Sequence, residues 1–147
     1  MTQPEKIMIK RMKWEEKFSV GVPEMDQEHQ RIIAMINRLQ DTFAIKNGME
    51  MAGELLGQMT QYAQDHFRHE EKLLEERHYP RLLEQRAQHA GYQRKNVALC
   101  KATELDIAGM PGVIFNFLSQ WWTHHILEED MRYKEFFARP PDASTPP

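Results

Sequence analysis

Apolar residues recur at steps of three and four through four successive stretches of the chain, the repeat of an amphipathic helix. The first stretch runs from about Pro23 to Ala44, with Met25, Ile32, Ile33, Met35, Ile36, Leu39 and Phe43 on one stripe. His29 lies four residues before Ile33 and seven before Ile36, so it points inward with them. Pro23 followed by Glu24 and Asp26 marks the start of this helix, and Lys46-Asn47-Gly48 suits left-handed termination at its end. The second stretch, about Met51 to His78, places Leu55, Met59, Tyr62, His66, Glu70 and Leu73 on one face, widened by Leu56, Ala63, Phe67 and Leu74. His66 and Glu70 are four residues apart and therefore stand one helical turn apart on the buried side. Tyr79-Pro80 breaks this helix.

The third stretch, about Arg81 to Ile107, has the inward stripe Leu82, Gln85, His89, Tyr92, Asn96, Leu99 and Thr103, helped by Val97 and Cys100. Gly109 and Pro111 separate it from the fourth, about Pro111 to Phe137. That last stretch carries Ile114, Phe117, Leu118, Trp121, Trp122, His125, Ile126, Tyr133, Phe136 and Phe137. Residues 1–22 lack the helical repeat but contain Trp14, Phe18 and Val20, which predicts an extended arm packed across the body of the domain. Residues 139–147 form a polar, proline-rich tail or linker that suits tethering a further domain. The fold expected is all-α, an antiparallel up-down-up-down four-helix bundle over residues 1–138 with an extended N-terminal arm.

Composition narrows the function. A length of 147 residues with 41% hydrophobic and 28% charged residues suits one globular domain. A net charge of -3 with scattered Lys and Arg gives no footprint for nucleic acid. Apolar runs such as Val113-Ile114-Phe115 are too short to span a membrane, and the polar start MTQPEK is no signal peptide. The one cysteine, Cys100, excludes an internal disulfide and a thiolate cage, so a cytoplasmic location is expected, with Cys100 as a small buried side chain. Nothing suggests a Ser or Cys nucleophile or a phosphate-cradling glycine loop.

Histidine changes the picture. A lone inward His is ordinarily a hydrogen-bonded core residue, and a lone H-x-x-x-E ordinarily a solvated pair. Here His29, His66, His89 and His125 occupy the inward stripes of four different helices, with Glu70 beside His66. An unpaired carboxylate in a core costs several kcal/mol, so Glu70 needs protonated histidines or a metal as its partner. Imidazole and carboxylate without thiolate suit iron, manganese, copper or zinc.

At this point the chain resembles the hemerythrin-like family, specifically the bacteriohemerythrins. The residues that carry the resemblance are Trp14, Phe18-Ser19-Val20-Gly21-Val22, Met25-Asp26 with His29, His66-Phe67-Arg68-His69-Glu70-Glu71, Tyr79-Pro80, His89 with Tyr92, and His125-Ile126 running to Asp130 and Tyr133. The resemblance implies two non-haem iron ions bridged by carboxylates and an oxo or hydroxo group, binding O2 or a related small molecule such as peroxide or nitric oxide. It implies that His29 and His66 hold one iron, His89 and His125 the other, and that Glu70 and Asp130 bridge them. Helical geometry alone disagrees with the last assignment. Five residues turn an ideal helix through roughly 140°, which favours Glu128 or Glu129 beside His125.

One position departs from the family, which places H-x-x-x-H on the third helix. This chain has Gln85-Arg-Ala-Gln-His89, so Gln85 stands where the first imidazole is expected. Each iron would then have two imidazoles, and an open coordination position on both is expected, or a loosely held ion at His89 and His125. His78 lies eight residues past Glu70, too far along the helix to fill the gap. His69 falls off the inward stripe, behind the ligands or at the surface, and His124 is turned roughly 100° from His125, towards solvent or a neighbouring helix. The function expected is small-molecule binding, sensing or storage at an unusually open di-iron site. The alternative is a di-iron enzyme with peroxidase-like or nitric-oxide-handling activity, and a structural iron or zinc site is the third reading.

Overall fold

The four apolar stripes fold as helices that face one another around a common core. A computed structural model of the chain describes residues 11–45, 48–105 and 109–139. Its helices are α1 (Pro23–Thr42), α2 (Gly48–Glu76), α3 (Leu82–Ala102) and α4 (Met110–His124). After α4 the chain makes a π-helical segment, His125–Asp130, and continues as α5 (Met131–Ala138). Helix α1 packs on α2 and α4, and α3 packs on α2 and α4, so chain neighbours are neighbours in space, as the expected bundle requires. Among the described residues there is no strand, and no helix is long and apolar enough to cross a membrane.

The element ends differ from expectation for local reasons. Helix α1 stops at Thr42, two residues early, where the Thr42 hydroxyl donates to the Leu39 carbonyl at 2.6 Å. Lys46 and Asn47, expected to close it, lie outside the described residues. Helix α2 begins at Gly48 rather than Met51. A Cβ at Gly48 would sit 2.1 Å from the Thr42 carbonyl oxygen, so the sharp α1–α2 turn needs glycine there.

At its other end α2 stops at Glu76 instead of His78. His78 takes the left-handed conformation (φ 56°), the Tyr79 N–H donates to the Leu74 carbonyl at 2.9 Å, and the His78 N–H donates to that of Glu75 at 3.1 Å. This is a Schellman closure with histidine where glycine is usual. His78→Gly removes the Cβ strain of that conformation and is expected to stabilise the fold by about 0.5–1 kcal/mol. Calorimetry should then show Tm higher by a few degrees, whereas an unchanged or lower Tm would mean that the imidazole contributes a stabilising contact.

Helix α3 ends at Ala102 and tightens into a 3-10 turn, Thr103–Leu105, so the helix expected to reach Ile107 is shorter, with residues 106–108 outside the described set. The arm behaves as expected from Trp14 onward. Phe18 and Val20 are buried, and Trp14 stands 5.7 Å from Phe18, ring to ring. The arm is tied by polar groups as well. The Val20 N–H and the Ser19 hydroxyl donate to the two oxygens of Asp26 (2.8 and 2.6 Å), and the Asn37 amide exchanges hydrogen bonds with both backbone groups of Met12. Residues 1–10 and 140–147, the start of the arm and nearly all of the tail, lie outside the described residues. Val97, expected inside, is exposed, and Cys100 is half-buried with its Sγ 3.8 Å from the Thr60 hydroxyl.

Candidate metal centre

His29 stands early in α1, His66 and Glu70 late in α2, His89 early in α3, and His125 just past α4. In an antiparallel bundle those positions share one end, so the site lies off-centre, towards that end. The opposite half is filled by apolar side chains, among them Leu39, Leu56, Met59, Ile114, Phe115 and Leu118. The cluster itself is fully buried: His29, His66, Glu70, Gln85, His89, His125 and Asp130 expose at most 2% of their surface.

The π-helical segment removes the conflict over Asp130. In a π turn the backbone bonds i to i+5, so residues five apart are stacked as residues four apart are in an α-helix. His125 and Asp130 are the first and last residues of that segment, and Asp130 Oδ1 lies 3.2 Å from His125 Nε2. Ideal helical geometry pointed to Glu128 or Glu129, but Glu128 is exposed and Glu129 is paired with Arg81.

The ligating atoms converge in two groups. His29, His66 and Glu70 form one, and Glu70, His89 and His125 the other, with the atoms of each group within 4.8 Å of one another. Glu70 belongs to both. His29 Nε2 lies 3.1 Å from His66 Nε2, and His89 Nε2 lies 3.2 Å from His125 Nε2. Asp130 spans the groups too, with Oδ2 3.4 Å from His29 Nε2 and Oδ1 near His125.

The outer nitrogens decide which way these rings present their lone pairs. His66 Nδ1 meets Glu28 Oε1 at 2.7 Å, His89 Nδ1 meets Glu71 Oε2 at 2.9 Å, and His125 Nδ1 meets Gln88 Oε1 at 2.9 Å. Those oxygens accept, so each Nδ1 carries a proton and each Nε2 faces inward, where it donates to a carboxylate while the ring is protonated and offers a lone pair once the ring is neutral. Paired lone pairs 3 Å apart, among carboxylate oxygens, repel unless a cation stands between them. Gln85 Oε1 and Asp130 Oδ2 are buried without a hydrogen-bond donor. An interior of acceptors short of donors, built from imidazole and carboxylate, fits transition-metal ions.

Electrostatics report the same concentration of negative charge. Burial alone would push Glu70 up, yet the imidazoles of His66, His29 and His89 around it together hold its carboxyl well below the usual range. Burial opposes charge on His89 as well, but Glu70 and Glu71 overcome it and raise the imidazole to about 9. His29 is raised against burial by Glu70 and Asp130, whereas burial prevails at His66 and lowers it. The Tyr133 hydroxyl donates to Glu70 Oε2 at 3.0 Å, and burial with the two carboxylates pushes that phenol well above its ordinary range.

A hemerythrin HHE cation binding domain profile matches residues 20–137. This chain belongs to the hemerythrin family. Among similar proteins is a bacteriohemerythrin of Stenotrophomonas maltophilia, 29% identical over 124 residues, covering 83% of this chain and 78% of that protein. A bacteriohemerythrin of Clostridium acetobutylicum is 24% identical over 125 residues, covering 82% and 96%. A crystal structure of wild-type hemerythrin superposes with a TM-score of 0.77 at 26% identity, covering 87% of this chain and 98% of that one. The four-helix bundle is thus the hemerythrin fold, and membership implies a non-haem metal site that serves small ligands such as O2.

Every site residue expected from the sequence lies in or beside the cluster. Gln85 is buried in it and donates from Nε2 to Asp130 Oδ1 at 3.0 Å. His69, at the surface, backs Glu28, the partner of His66: its Nδ1 meets Glu28 Oε2 at 3.1 Å. His124 is exposed, as is His78. Sequence reasoning missed Glu28 and Gln88, because a residue's partner across a helix–helix seam leaves no spacing signal within its own helix. Their one trace is adjacency: Glu28 precedes His29, and Gln88 precedes His89.

Proposed function

We propose that this chain is a non-haem di-iron protein that binds O2 or a related small molecule. His29 and His66 hold one ion, His89 and His125 the other, and Glu70 and Asp130 lie between them. The observation that carries the reading is the pair of ligand groups sharing Glu70, with the Nε2 atoms of His66, His89 and His125 facing inward. Iron bound there supplies a redox-active centre with room for a small exogenous ligand. Glu28, Glu71 and Gln88 fix the tautomers and ring angles. Trp122, wholly buried and stacked on Phe67 at 5.5 Å, helps to keep water from the cluster, and Tyr133 supplies a hydrogen bond to Glu70. A sensing role would use the proline-rich residues after Arg139 as the tether to an output domain.

Gln85 sets this site apart. Its amide donates to Asp130, a role that orients the carboxylate and supplies no imidazole. Two imidazoles per ion leave a coordination position open on each. The same feature supports a second reading, in which two open positions favour oxidation by peroxide or handling of nitric oxide over reversible O2 storage. Azide titration of the iron-loaded protein tests the open positions, and a slow-decaying oxy spectrum of the reduced protein in air, as against turnover of peroxide with an electron donor, separates the two readings. Azide is expected to bind at both irons, and Gln85→His, by adding an imidazole, to restrict it to one. Two tightly held irons with azide at only one of them in the unaltered protein would contradict the open positions.

A further inference from the structure

The two halves of the cluster are not supported alike. On the His89/His125 side both rings are held twice. His89 is stacked on Phe67 at 3.9 Å with planes 8° apart, and its Nδ1 bonds Glu71. His125 is stacked on Trp121 at 4.5 Å and 13°, and its Nδ1 bonds Gln88. On the other side, His29 and His66 meet edge to face at 69°, and His29 Nδ1 has no hydrogen-bond partner. Stacking fixes the tilt of an imidazole and the outer hydrogen bond fixes its spin about the ring normal, so two restraints leave little freedom to lose on binding an ion.

The hydrogen-bond relay behind His89 continues to the surface. Glu71 accepts from Arg86 Nε at 3.3 Å through Oε1 while its Oε2 serves His89, and Arg86 NH2 reaches Glu75 at 3.4 Å. Arg86 therefore sets the direction of the Glu71 carboxylate from outside, in the groove between α2 and α3 whose floor includes Phe67 and His89. The matching relay on the other side ends differently: His66 bonds Glu28, and Glu28 bonds His69, a side chain 60% exposed.

We infer that Arg86, acting through Glu71, is a positioning residue that retains the ion at His89 and His125, where Gln85 stands in place of an imidazole. The inference rests on the two-metal reading above. A planar guanidinium that bonds Glu71 through Nε and Glu75 through Nη2 is anchored at two points, so it holds the Glu71 oxygen in a direction that a point charge on a flexible stem does not. Arg86 touches no ligand atom of the cluster, so its effect passes through the Glu71–His89 hydrogen bond.

The test is iron retention under a chelator challenge of the full chain, read as iron per chain over time, with helicity followed by circular dichroism. In Arg86→Ala, one iron is expected to leave about 10–100-fold faster than from the unaltered protein, as for loss of other supports behind a metal ligand. The second iron should stay, helicity should not change, and Arg86→Lys should restore part of the retention. Arg68→Ala is the control, since Arg68 lines the same groove and pairs with Asp65. It should release iron as the unaltered protein does. Equal release from Arg86→Ala and the unaltered protein, or loss of both irons together, would overturn the clamp alone. An unaltered protein that takes up fewer than two irons would overturn the two-metal reading and the clamp with it.

Discussion

Glu70→Ala is expected to lose both metal ions, because Glu70 is the residue common to the two ligand groups. Removing one histidine weakens one position, whereas removing Glu70 takes an anionic oxygen from each. The loss should extend to the metal-free chain. Glu70 is wholly buried, and its carboxylate lies 3.1 Å from His89 Nε2 and 3.5 Å from His29 Nε2. Both imidazoles have raised pKa values, with Glu70 a leading cause in each. Breaking a buried pair by deleting one partner costs about 3–5 kcal/mol, since the charge left behind keeps its desolvation penalty and loses its attraction. Metal analysis and denaturant unfolding check the two parts separately. Glu70→Gln, which preserves volume, should also lose the metal. A Glu70→Ala protein that keeps one tightly bound ion would show that Glu70 is not shared.

Trp122→Ala carries an equally large expected cost to the fold, through packing and not through charge. Its side chain is wholly buried, stacked on Phe67 at 5.5 Å, edge-on to Tyr92 at 5.2 Å and 5.9 Å from the His66 ring. Truncating a buried tryptophan costs about 3–5 kcal/mol through lost transfer energy and the cavity it leaves. In a chain of this size, that lowers Tm by on the order of 10 °C. Trp122→Phe refills part of the volume and should cost markedly less. Calorimetry of the metal-free proteins gives the comparison without interference from bound ions. Near-equal Tm values for Trp122→Ala and the parent would mean that the surroundings collapse around the gap and that this ring is not a support of the cluster.

The helices were legible because the apolar period is long and regular, as in α2, where Leu55, Met59, His66 and Glu70 keep step for four turns. Four inward histidines were legible for the same reason, since the stripe that buries Ile36 also buries His29. Helix ends were less so. Their positions depend on backbone events such as the left-handed His78 and the close approach at Gly48, which periodicity does not register. Asp130 shows the sharper failure. Counting at 3.6 residues per turn assumes that every turn is alike, and one π turn after His125 advances the count by a residue. The family resemblance named Asp130, which the fold buries beside His125, where ideal helical geometry named Glu128 or Glu129. The supports behind the imidazoles, Glu28 and Gln88, came only with the fold, because they are contacts between helices.

The central claim is that two metal ions sit side by side in this bundle, with Glu70 and Asp130 between them. Anomalous diffraction at the iron edge, from crystals of the iron-loaded protein, tests it most directly. The account predicts two iron peaks, one within bonding reach of His29 and His66 and the other of His89 and His125, with Glu70 touching both and the Gln85 amide on Asp130. A single peak, or two peaks of which one lies away from these histidines, would contradict it.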